Sequence, residues 1–334
     1  MSNGIDANHE LRRKIMGFII SQSIFSVNKL GIPDLLAGGP ASVESLARDS
    51  GADADALNRV MRVLTAEGIF AEGPTGVFGL EPMGKLLCTS TAGSLSNFAD
   101  LMGGQSYQAW SEAIYSVRTG KPAFDHVFGQ PHFDWLAENP EAAADFNRAQ
   151  AGLVSLRMAP LLEHDWSGVG TVVDVGGGNG ALLAALLSRH EHLRGVLFDL
   201  PHVVGEADPV LREADVLTRC ERVGGDFFGA LPGGGDVYVL AQILHDWGTE
   251  DAVSILRNCR AAMPAGGRIL ILEQVIPEDS QPHPAKLLDL HMLVLLGGRE
   301  RTESDWHDLL AQSGFRIEKI EMSPRSSLIE ARPV

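Results

Sequence analysis

The stretch "TVVDVGGGNGALLAALL", beginning at Thr171, restricts the fold more than any other part of the chain. A β-branched run enters a turn of glycines and leaves as an apolar helix, which is the order of a strand, a ligand loop and a helix. The alternation continues from there to the end. Seven runs read as strands: "TVVDV", "GVLFDL", "RCERVGG", "DVYVLAQIL", "RILILEQVI", "RIEKIEM" and "LIEARP". Helical stretches at about 180–190, 203–215, 249–263 and 304–313 separate most of them. Such alternation predicts an α/β fold with a doubly wound parallel sheet, because a parallel neighbour is reached only through a crossover. The last two strands are joined only by "SPRS", too short for a crossover, so the final strand is expected to run antiparallel.

The region before Thr171 reads differently. Residues 10–37 pattern as helix and end near "GIPDLLAGGP". A short helix starts at Ser42, "GADADAL" makes a turn with acidic caps, and "ALNRVMRVLTAEG" forms a second amphipathic helix closed by Gly68. Two short strands, "IFAEG" and "VFGL", follow around a turn. Helix, turn, helix and hairpin outline a winged helix. Its charge argues against DNA: Glu44, Asp49, Asp53, Asp55, Glu67, Glu72 and Glu81 outnumber Arg48, Arg59, Arg62 and Lys85. A structural or dimerising role is expected instead. Residues 88–165 read as helical and rich in aromatics. The predicted division is an N-terminal winged-helix dimerisation domain at 1–100, a helical connector at 101–165 and a ligand-binding domain at 166–334.

Net charge over the 334 residues is −16, which argues against nucleic acid or an anionic membrane as a partner, since both need a basic face. Cys88, Cys220 and Cys259 form no C-x-x-C pair, so a disulfide framework or zinc site is not expected and a reducing cytoplasm is. "RRKIMGFIISQSIFSV" is cut by Ser21, Gln22, Ser23 and Ser26 and reads as an amphipathic helix rather than a signal peptide.

Gly176, Gly178 and Ala181 satisfy the dinucleotide pattern G-x-G-x-x-G/A. Asp174 weighs against that use, since a pyrophosphate against its carboxylate is unfavourable without a cation between them. The same carboxylate suits a ligand carrying an ammonium and a sulfonium and no phosphate, which describes S-adenosylmethionine (SAM). Asp199 ends the second strand where doubly wound folds grip a ribose diol. Asp226 and Phe227 in "GGDFF" offer an acceptor for an adenine amine and a ring to cover it. Singly, each acid reads equally well as a loop cap; three at successive strand ends line one crevice.

"DVYVLAQIL" delivers His245 to the same rim. Thr249 reads as the N-cap of the next helix, with Glu250 and Asp251 as its acidic first turn, which leaves His245 without a structural duty. A histidine of pKa near 6.5 is suited to take a proton from a phenol or enol. Its orienting carboxylate is either Glu273 in "ILEQVIPE" or Glu300 in "LLGGRERTESDW".

"DVGGGNG", "GGDFF", "ILHDWGTEDAVSILRNCRAAMPAGGRILILE", "DLHML" and "GGRERTESDW" resemble, in order over most of 150–334, the motifs of small-molecule O-methyltransferases. The resemblance implies a Rossmann-like class I methyltransferase domain with seven strands, an N-terminal dimerisation domain and a homodimer. It implies SAM as cofactor, S-adenosylhomocysteine as product, no metal, and an aromatic or polyketide-like acceptor. On this resemblance His245 is the general base flanked by Glu273 and Glu300. The expected cofactor set is Asp174, Gly176, Gly178, Asp199, Leu200, Asp226, Phe227 and Gln242. The expected acceptor set is Phe146, Asn147, Asp246, His291 and Met292. Two positions depart from the family pattern: Gln242 stands where a basic residue is common, and Gln150 where methionine is frequent. Nitrogen methylation, a hydroxylation or rearrangement on the same scaffold, and a small-molecule-sensing regulator are the competing readings.

Overall fold

The computed structural model describes residues 7–74, 76–323 and 326–334. The chain forms two compact units, Met1–Ser111 with Phe133–Leu153, and Glu112–His132 with Val154–Val334. The segment 101–165, expected as a connector, is therefore shared between the two.

In the first unit the helix expected over 10–37 is three helices, Ala7–Ile15, Gly17–Lys29 and Ile32–Leu35. Gly31, at φ +67°, separates the last two, a left-handed backbone that glycine adopts at little cost. Strand β1 (Ala41–Ser42) leads into helices Val43–Ser50 and Ala54–Ala66, then β2 (Phe70–Glu72) and β3 (Val77–Leu80). The three strands form an antiparallel sheet in the order β1-β3-β2. Each helix starts on a side-chain cap: Ser42 accepts from the Ser45 N–H at 3.3 Å, and Asp53 from the Ala56 N–H at 2.8 Å. Leu46, Leu57, Met61, Leu64, Phe70 and Phe78 fill the core between helices and sheet.

The second unit is built on β4 (Thr171–Val175), β5 (Arg194–Asp199), β6 (Cys220–Gly224), β7 (Val237–Ala241) and β8 (Arg268–Glu273). A minor pair, β9 (Val275–Ile276) and β10 (Arg301–Thr302), precedes β11 (Phe315–Glu321) and β12 (Ser327–Pro333). The seven-stranded sheet runs β11-β12-β8-β7-β4-β5-β6. β12 inserts between β8 and β11 and is antiparallel to both, as the short link before it requires. Strand residues alternate between two cores: Val237 and Val239 point into one, Tyr238 and Leu240 into the other. A sheet covered on both faces must be apolar on both, hence the near-continuous apolar runs. Helix Thr249–Ala262 seals one face with Ala252, Ile255, Leu256 and Cys259, an i, i+3, i+4, i+7 stripe. Burying each leucine or isoleucine there contributes about 1.5–3 kcal/mol.

Three local expectations are corrected. The run "DVYVLAQIL" is strand only to Ala241; Gln242 takes φ +58° and a 3-10 turn follows at Leu244–Asp246. The N-cap of the next helix is Gly248, with no side-chain cap; Thr249 is already helical, and Glu250 and Asp251 supply the acidic first turn. The helix expected at 203–215 is broken into Pro201–Val204 and Asp208–Glu213, each with a proline in its first turn. No helix among the described residues is long and apolar enough to cross a membrane.

Candidate active site

Parallel register carries the ends of four strands to one rim. Asp174 lies opposite Leu197 on β5 and Val239 on β7, and Ala241 lies opposite Leu272 on β8. The strand order reverses at β4, whose neighbours are β5 and β7, and doubly wound sheets bind ligands at such a crevice.

The glycine loop is held tightly against this rim. Gly176 and Gly177 donate their N–H groups to the Phe198 carbonyl at 2.8 and 3.3 Å, and Gly178 donates to Asp199 Oδ2 at 2.8 Å. A Cβ on Gly176 would sit 2.6 Å from Ile243, and one on Gly177 would sit 2.5 Å from Asp174 Oδ2. Beneath the loop Asp174 is 1% exposed, and its Oδ2 has no hydrogen-bond partner. Burial, and then the nearby Asp199, push its carboxyl up to about 7. An orphaned buried acceptor of this kind fits a cationic ligand group, whose charge would offset the burial.

Asp199 also accepts the Leu200 N–H at 2.7 Å, and Leu200 itself is exposed. Asp226 is exposed and accepts the Phe228 N–H at 2.9 Å. Phe227 meets Trp247 edge to face at 5.7 Å, and its carbonyl accepts from Asn258 at 2.9 Å. Gln242 donates to the Leu272 carbonyl at 2.9 Å and accepts from the Arg157 guanidinium at 2.8 Å. The positive charge absent from position 242 is thus present on a side chain 85 residues earlier.

His245 is 5% exposed on the 3-10 turn. Its Nδ1 lies 2.6 Å from Glu300 Oε1. Glu273 Oε1 accepts the main-chain N–H groups of Ile243, Leu244 and His245 at 3.0, 2.9 and 3.4 Å, while its Oε2 is 3.7 Å from Nδ1. The Glu300 N–H is anchored on Asp289 at 2.9 Å, and the Arg299 N–H donates to the His245 carbonyl at 2.8 Å. A Cβ on Gly298 would sit 2.1 Å from that carbonyl, so only glycine lets the two loops meet. Nε2 is left on the other edge of the ring, 3.4 Å from Asp246 Oδ1.

Burial alone would lower the His245 pKa, but the Glu273, Asp246 and Glu300 carboxylates push it up to about 10. Burial raises Glu273 to about 7 and Asp246 to about 6. The cluster therefore holds its protons tightly.

His291 and Met292 lie on helix Pro284–Leu296, which packs against the His245 turn. Met292 is buried; burial, and then His245, lower the His291 pKa to about 4, so its ring is neutral near pH 7. Phe146 and Asn147 belong to the first unit, on helix Pro140–Arg157, where Phe146 meets Phe133 edge to face at 6.3 Å and Asn147 is exposed. Among the described residues, ligand atoms of His245, Glu273 and Glu300 lie within 4.8 Å of one another, close enough for a cation. An ion bound to Nδ1 there would displace the imidazole–Glu300 bond.

An O-methyltransferase domain model matches residues 110–316, and an O-methyltransferase dimerisation domain model matches residues 13–90. The chain belongs to the O-methyltransferase family. Phenazine O-methyltransferase PhzM of Lysobacter antibioticus is 44% identical to this methyltransferase over 326 residues, 97% of this chain and 96% of that one. The crystal structure of the O-methyltransferase NcsB1 from neocarzinostatin biosynthesis, in complex with SAM and 2-hydroxy-5-methyl naphthoic acid, superposes with a TM-score of 0.84 at 32% identity, covering 95% of this chain and 96% of that one. An 8-amino-8-demethylriboflavin N,N-dimethyltransferase of Streptomyces davaonensis is 37% identical over 300 residues, 88% of this chain and 86% of that one. The seven-stranded sheet of this methyltransferase, with its reversed final strand, is the class I methyltransferase fold. Sequence reasoning did not single out Arg157, Asp289 or Arg301, although the quoted motif "GGRERTESDW" contains Arg301 beside Glu300.

Proposed function

We propose that the protein transfers a methyl group from SAM to a hydroxyl of an aromatic or polyketide-like natural product, with His245 as general base. The observation that carries this reading is the 2.6 Å contact between Nδ1 and Glu300, which commits one ring nitrogen and leaves Nε2 for the acceptor. Bound at the rim, SAM supplies an electrophilic methyl on a sulfonium sulfur. Asp174 would hold its ammonium, Arg157 with Gln242 its carboxylate, Asp199 its ribose, and Asp226 with Phe227 its adenine. Gly176, Gly178 and Leu200 would shape the cradle.

His245 takes the hydroxyl proton at Nε2, and Glu300 stabilises the imidazolium that results. Glu273 holds the main chain of the turn. A positioned base of this kind contributes about 10²- to 10⁴-fold to the rate. Asp246, His291 and Met292 are the residues of the second unit proposed to contact the acceptor; Phe146 and Asn147, expected in the same set, belong to the first unit. The exposed apolar residues Leu11, Ile15, Met16 and Phe18 fit a homodimer formed through the winged-helix unit. Buried, unpaired cysteines fit a reducing cytoplasm.

The dimethyltransferase relative favours a second reading, transfer to nitrogen. An amine attacks through its own lone pair and needs no proton removed beforehand, so a committed base favours oxygen. 3-Amino-4-hydroxybenzoate, which offers both an amine and a hydroxyl, incubated with SAM and read by tandem mass spectrometry, decides between them. The expected product carries methyl on oxygen. Methyl on nitrogen alone sinks the proposal.

A further inference from the structure

We infer that Arg301 is a positioning residue for His245, an inference that rests on the base role proposed above. The turn that carries His245 follows Gln242 at φ +58°, a left-handed conformation that strains a non-glycine residue. Outside contacts must hold such a turn. Glu273 holds its N–H side. Arg301, 2% exposed, holds its carbonyl side: the guanidinium donates to Leu244 O at 2.7 Å and to Trp247 O at 2.9 Å, the residues that bracket His245. A third bond goes to Arg299 O at 3.3 Å, and the group lies 5.4 Å from the buried Trp306 ring.

The two clamps carry opposite charges matched to the backbone dipoles they meet, an anion on three N–H groups and a cation on two carbonyls. Only a guanidinium spans both carbonyls at once, because a lysine ammonium is a single point of donation. Arg301 also adjoins Glu300 in sequence, so one anchor fixes the turn and the carboxylate that meets its imidazole. Loss of the fork lets the ring drift from Glu300, and a shift of about 1 Å at a reacting group costs on the order of 10²-fold in rate.

The test is proton–nitrogen NMR of the full-length protein labelled with ¹⁵N-histidine, which needs no acceptor. Wild type is expected to show a downfield Nδ1 proton, assigned to His245 by its absence in His245→Ala. Arg301→Lys should lose that signal or move it upfield while calorimetry shows S-adenosylhomocysteine binding retained. Arg301→Gln is read in the same way should the lysine variant not fold. An unchanged signal in a folded variant overturns the inference. Full turnover in His245→Ala would instead overturn the base reading, and the two failures are separable.

Discussion

Nδ1 of His245 lies 2.6 Å from Glu300 Oε1, whereas the nearer Glu273 oxygen is 3.7 Å away and the other oxygen of Glu273 collects three main-chain N–H groups. The two acids divide their work. One meets the imidazole, and the other holds the backbone that presents it.

That division predicts different variants. His245→Ala is expected to lower kcat by roughly 10²-fold or more with SAM affinity near wild type. Glu300→Gln should lower kcat and leave the melting temperature close to wild type. Glu273→Gln should lower both, because three N–H groups lose a charged acceptor. Steady-state kinetics with thermal melts of each variant check this.

The raised His245 pKa sets a pH dependence. Only the neutral ring accepts a proton, and its fraction grows as pH rises toward about 10. The kcat/KM for a protonated phenol should therefore climb from pH 6 to 9. Glu300→Gln removes one of the carboxylates that raise the pKa, so its rising limb moves to lower pH. A limb unmoved in that variant would assign the titration to another group.

Asp174 links pH to stability with the opposite usual sign for a carboxylate. Its folded pKa, about 7, lies above the usual value for an exposed aspartate, so the folded state binds more protons between the two. Stability from this group falls as pH rises through that window and is lost above about 7. Asp174→Asn should thus melt higher than wild type at pH 8 without ligand, yet gain less from added SAM. Scanning fluorimetry at pH 5 and 8, with and without SAM, reads both effects.

Arg157, hydrogen-bonded to Gln242 at 2.8 Å, is proposed to supply the charge that this position lacks. Arg157→Met should weaken SAM binding by about 1.5–3 kcal/mol, the range for a hydrogen bond to a charged group. Gln242→Arg in the same chain should restore part of it. Calorimetry with SAM measures both variants, and no loss in the first would remove Arg157 from the cofactor set.

Association is testable on the first helices. Ile15 and Phe18 are 65% and 53% exposed. Replacing both with aspartate should turn a dimer into a monomer in light scattering, with helix content unchanged.

What the sequence determined by itself is local. Short β-branched and apolar runs placed β4 through β8, β11 and β12, and the short link before β12 set its direction, because strand pattern and crossover length are properties of one segment. The glycine loop was legible for the same reason, a glycine run between a strand and a helix; the close approach to Ile243 that explains Gly176 is visible only in the fold. The cap at Gly248 and the left-handed Gln242 were not legible, since loops packed from elsewhere override propensity there. Tertiary structure alone decided which acid meets His245, which cation meets Gln242, and what holds the turn. Those partners lie 55, 85 and 57 residues apart in the chain. Neither spacing nor period encodes such pairs; they exist only once the sheet brings its strand ends to a common rim.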